Sequence, residues 1–123
     1  MGMDQTVVFA ADRTPGWPAL RDLLAARGVP APLRMIDGEL ALPDEEPPPA
    51  WRELRVGMPM GMVTLRRTSR GIQLVTWGNA DAEMRREWNL VTWAVAKLSD
   101  GKVETPASEM SADDFARDAG LSS

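Results

Sequence analysis

Apolar positions along this chain change their spacing from segment to segment, and each change predicts a different element. Thr6-Val7-Val8-Phe9-Ala10 is an unbroken apolar run of strand length and predicts a buried strand. Leu20, Leu23 and Leu24 then fall at helical spacing behind Thr14-Pro15-Gly16-Trp17-Pro18, whose Thr and Pro suit a helix start, and Gly28 suits the stop. Asp37-Gly38 between two apolar arms is the pair that a type I′ turn demands, because both central residues need positive φ. The arms are expected at 33–36 and 39–42.

Pro43 to Pro49 is acidic, proline-locked and without period, which predicts a rigid loop, and Ala50 to Leu54 reads as one helical turn. From Met60 the spacing becomes strict alternation. Val63 and Leu65 face one way and Thr64 and Arg66 the other, and after the turn Thr68-Ser69-Arg70-Gly71 the segment Ile72 to Trp77 returns as a β-branched and aromatic strand. Met84, Trp88, Val91, Val95 and Leu98 then recur at intervals of four and three. They define the stripe of a helix of about 20 residues, about 30 Å long, with Asn79 as its expected cap and Asp100-Gly101 as its end. Lys102 to Thr105 is a short edge strand, and Ser111 heads a last amphipathic turn or two that carries Phe115.

Two hairpins and two main helices predict an α+β two-layer sandwich. Its mainly antiparallel sheet should have about four to six strands, with the helices packed on one face. Residues 3–105 form the expected domain, and 106–123 a loosely docked C-terminal tail with a short helix. The return strand is apolar on both sides, since Val75 and Trp77 alternate with Ile72 and Leu74. The face turned away from the helices is therefore expected to be apolar and to need cover, and self-association is the preferred cover.

Composition narrows the chemistry. The chain has no His, Cys or Tyr, which removes the commonest general base and metal ligand, the thiolate nucleophile and the phenol donor. Net charge is −4, the wrong sign for a nucleic-acid binder. The bias to Arg over Lys, with many Pro, Gly and Ala, is what a GC-rich bacterial genome produces. No run approaches the ~20 apolar residues of a membrane span, and no basic-then-apolar secretory leader is seen, so a cytoplasmic location is expected.

Candidate sites are few. Met58, Met60 and Met62 alternate, which on an extended segment aims three thioethers one way. Soft sulfur suits Cu(I), but such sites usually add the His or Cys that this chain lacks, so no metal or cofactor is expected and the Met residues are read as core or partner contact. Trp51, after three prolines, and Trp77, at a strand-to-helix junction, are candidate partner anchors. Trp93 joins them, because it lies about 140° around the helix from Trp88. Arg66, Arg70, Arg85 and Arg86 form an alternative, an anion-binding or hydrolytic site working with carboxylates. The sequence thus predicts a non-enzymatic interaction module, adaptor- or immunity-like, whose partner is a protein or a second copy of itself. Neither nucleic acid nor membrane is expected as a partner.

Overall fold

The structure, a computed structural model, describes residues 2–121. The alternating segments become strands of one antiparallel sheet: β1 (Gly2–Val8), β2 (Leu33–Ile36), β3 (Glu39–Leu40), β4 (Glu53–Met58), β5 (Gly61–Arg67), β6 (Gly71–Trp77), β7 (Lys102–Glu104) and β8 (Glu109–Ser111). Their spatial order is β3-β2-β4-β5-β6-β1-β7-β8. Three helices accompany them: α1 (Trp17–Ala26), α2 (Ala82–Ser99) and α3 (Ala112–Asp118). The α+β class stands as expected, but the sheet has eight strands rather than four to six, and there is a third helix.

Two of the extra strands correct specific expectations. Residues 50–54 do not form a helical turn; Leu54, Val56 and Met58 alternate with Glu53 and Arg55 as strand β4. Met58 pairs with Gly61, so Pro59 and Met60 are the turn of a β4–β5 hairpin. The other unforeseen strand, β8, folds back on β7 within the segment after Pro106, and Phe115 and Leu121 of that segment are buried. The expected cap also moves by two residues, because Asp81 rather than Asn79 accepts the Met84 N–H that starts α2.

The Asp37-Gly38 turn is as expected, with φ of 50° and 85°. Asp37 has a second task, since its carboxylate accepts the N–H groups of Arg52 and Glu53 at 2.7 and 2.9 Å and so fastens the β2–β3 hairpin to the start of β4. Those donors hold its pKa below the ordinary carboxylate value. At the other hairpin Gly71 opposes Val8, where a Cβ would lie 1.9 Å from the Val7 carbonyl oxygen; only glycine lets β1 approach β6 there.

One face of the sheet is the core floor: Val7, Leu33, Leu54, Val56, Val63, Leu65, Ile72, Leu74 and Val103 have no solvent exposure. Helix α2 packs across β1, β5, β6 and β7, with α1 and α3 against it. Flanked in this way, α2 is buried all round from Leu90 to Ala96. A polar pin fixes its register: the buried Gln5 amide donates to Asn89 Oδ1 at 3.0 Å and Thr92 Oγ1 at 2.8 Å, while the Trp88 indole donates to the Leu74 carbonyl. No helix among the described residues is long and apolar enough to cross a membrane.

Candidate functional site

The face away from the helices is built from the other half of the alternation, and its two ends differ in character. Towards one end the cross-strand row runs Thr6, Gln73, Arg66, Glu53. Glu53 takes Arg66 Nε at 3.1 Å and Arg55 Nε at 3.5 Å. Arg70, at the nearby hairpin tip, donates twice to Glu104, at 3.0 and 2.5 Å. This fork lowers the Glu104 pKa and raises that of Arg70. The expected greasy underside is thus largely an array of charged and polar side chains; exposed pairs of this kind are screened by solvent, add little to stability and keep the surface wet.

The opposite end is apolar. Trp77 ends β6 with its ring turned to Gly61 beside Met84 of α2, outside the groove, while the neighbouring strand presents Met62, whose carbonyl accepts the Thr76 hydroxyl at 3.2 Å. Met62 pairs with Gly57. With no side chain at 57, the Arg34 side chain lies across that position, and a Cβ there would come within 2.6 Å of Arg34 Nε. A bulge between Leu33 and Met35 brings both Arg34 and Met35 to this side, and Leu40 pairs with Met35. Together Arg34, Met35, Leu40, Ala41, Leu42 and Met62 line a groove of about 500 Å³. Leu40 is 88% exposed, Leu42 67% and Trp77 51%. Arg34 makes no ion pair with a described carboxylate. Glu45 lines the rim, and its chain neighbours Asp44 and Glu46 are exposed in the proline loop, with Glu46 turned to a separate cavity on the helix side.

Of the candidate anchors, Trp77, Met60 and Met62 are on the surface and Trp51, Trp93 and Met58 are not. Met58 points into the core, Met60 sits on the hairpin turn and Met62 faces the groove, so the three thioethers do not converge. Trp51 is buried beneath Arg67, whose guanidinium lies 4.4 Å from the ring centroid, and Trp93 beneath Arg27 at 4.7 Å. Trp93 leaves the expected stripe of α2 without reaching solvent because α1 and α3 cover its side of the helix.

The four arginines of the anion-binding alternative are also dispersed. Arg66 and Arg70 are ion-paired on the sheet side; Arg85 donates to the Ala80 carbonyl and Arg86 to that of Gly120. Arg86 does line a cleft of about 380 Å³ with Arg27, Glu83, Glu87 and Leu90. Its two guanidinium groups hold backbone carbonyls, since Arg27 donates to Leu121 at 2.5 Å. Glu87 accepts the Met60 N–H at 3.0 Å, and burial pushes its pKa up. Among the described residues no group of three or more His, Cys, Asp or Glu is placed to hold a metal ion.

The groove residues Arg34, Met35, Leu40 and Leu42 are not among the sequence-derived candidates. A signal for them exists. The two-residue turn at Asp37-Gly38 fixes Leu40 opposite Met35, so once Ile36 faces the core these two face away from it. No protein-family model, curated protein or solved structure shows a match to this chain.

Proposed function

We propose that this chain is a non-enzymatic interaction module, adaptor- or immunity-like, which docks a partner protein in the groove across Gly57. The observation that carries this reading is the pair Leu40 and Leu42, two leucines standing almost free in water beside Met35 and Met62. Exposing them costs free energy that a partner recovers on binding, at roughly 25 cal/mol per Å² of apolar surface covered. The apolar floor favours a segment with apolar side chains, and Glu45 and the unpaired Arg34 offer one polar contact of each sign at its edges. A second copy is disfavoured, because it would bring another Asp44-Glu45-Glu46 loop against the first.

Affinity capture from cells of the source organism, with wild type and the Leu40→Asp/Leu42→Asp double variant in parallel, tests the reading. Both side chains are exposed, so the variant should keep the wild-type circular dichroism and melting behaviour. A protein retained by wild type and lost from the folded variant is the expected result. Identical capture profiles would overturn the assignment of the groove. Sedimentation at tens of micromolar should show a monomer; a dimer abolished by the same substitutions would replace the foreign partner with a second copy.

A further inference from the structure

Arg67 ends β5 on the helix side of the sheet, and among the described residues it stands out by combining an indole stack, a buried unpaired Nε and the absence of a direct ion pair. One Nη donates to the Pro49 carbonyl at 2.7 Å, and the plane stacks on Trp51. It forms no ion pair with any described carboxylate. Its Nε is buried and makes no hydrogen bond. A guanidinium taken partly out of water with no carboxylate in direct contact is costly to the fold; burial lowers its pKa, and the more distant Asp37 carboxylate offsets only part of that.

Space for a counter-ion adjoins it. Arg67, Ala11 and Thr14 form the common wall of two cavities, one of about 560 Å³ and one of about 210 Å³, which together make a trough between the proline loop and the Thr68–Gly71 turn. The larger falls within the roughly 300–1,000 Å³ of small-molecule sites. Its walls are Trp17, Trp51 and the prolines 47–49, with Glu46 at the rim. Trp17 is 2% exposed and its indole N–H has no acceptor. Helix α1 begins on the same wall with no side chain capping its first turn, so the positive end of its dipole borders the cavity.

We propose that this trough binds a small monocarboxylate with an apolar body, the carboxylate on Arg67 and the body against Trp17 and the proline wall. The charge selects a monoanion. Arg70 is already neutralised by Glu104, which leaves one guanidinium facing Glu46, too little to balance a phosphate dianion. The walls select an apolar body, because proline and indole side chains offer dispersion and no acceptors, while the Pro48 and Pro49 carbonyls are already taken by the Trp51 N–H and Arg67. The site lies on the helix side of the sheet and does not depend on the groove across Gly57.

The test titrates the full chain with phenylacetate, and separately with inorganic phosphate, read by tryptophan fluorescence and by the indole N–H signals in ¹⁵N-resolved NMR spectra. Phenylacetate should saturate, shifting the Trp17 and Trp51 indole signals and leaving that of Trp77 in place. Arg67→Met should weaken it by at least about tenfold while Arg66→Met, which removes the ion-paired neighbour, leaves it within about twofold. Because Arg67 also fastens the proline loop, Glu46→Gln gives an independent reading at an exposed position. It should tighten phenylacetate by about threefold through removal of a like charge. Failure to saturate, equal affinity for phosphate, unchanged binding in folded Arg67→Met or no tightening in Glu46→Gln would each overturn the proposal.

Discussion

Two buried tryptophans in this molecule lie under an arginine, and the two stacks solve different problems. Arg27 covers Trp93 and reaches the Leu121 carbonyl, so that the chain beyond α3 is fastened over the middle of the helix layer. Arg67 covers Trp51 and reaches only the Pro49 carbonyl, beside an open trough and with a buried nitrogen lacking an acceptor. Both indoles are packing; the arginines differ. Where the chain itself supplies the acceptor the stack is a clasp, and where it leaves donor capacity unused the stack can receive something from outside.

Truncating the indoles is the largest perturbation and tests whether the two stacks are alike underneath. Trp51→Ala and Trp93→Ala should each cost about 3–5 kcal/mol by urea denaturation, the usual loss for a buried aromatic. A loss under about 1 kcal/mol at either would mean that its indole is not part of the core. Next in size, Arg27→Met should destabilise by roughly 1–2 kcal/mol, reflecting a hydrogen bond to a charged donor discounted for partial exposure. Arg67→Met should cost less than half as much, because it also removes a partly buried charge that has no direct ion-pair partner. The reverse order would erase the distinction between the stacks.

The smallest effect comes from Glu87, another charge held partly out of water. Its folded-state pKa is raised, so ionisation opposes folding. That penalty is complete above the raised value and fades as pH falls towards the unfolded value of about 4.3. Glu87→Gln keeps an acceptor for the Met60 N–H and should therefore be more stable than wild type at neutral pH, with the two converging in acid. A gap that widens on acidification would contradict the burial of this carboxylate.

Much of the architecture was legible from local chemistry. The Asp37-Gly38 turn, the return strand from Ile72 and the stripe of α2 follow from rules that act within a few residues, and the structure keeps them except at the end of the stripe, where Leu98 is exposed and Ser99 is buried in its place. Strand β4 was readable from the alternation of Leu54, Val56 and Met58, but the proline run before it argued for irregular structure and Trp51-Arg52 broke the pattern at its start. Trp93 shows a deeper limit. Its angular offset from Trp88 was right, yet exposure depends on how many neighbours a helix has, and the unbroken apolar run from Leu90 to Ala96 was the better indicator of a helix enclosed on all sides. The surface sites were least legible. Gly57 has meaning only once Met62 and Arg34 are placed around it, and Arg67 stands out from its neighbours only when their ion pairs are known.

The position of β1 has a consequence for how the chain is made. This strand pairs on one side with residues 71–77 and on the other with 102–104, so neither of its edges can be satisfied until those later segments have left the ribosome. The β4–β5–β6 meander closes through short loops and can form first, as contacts near in sequence do. Thr6 to Phe9 must meanwhile wait as an exposed, largely apolar segment. Synthesis rate and holding chaperones should therefore govern the yield of folded protein more strongly than the stability of the finished fold.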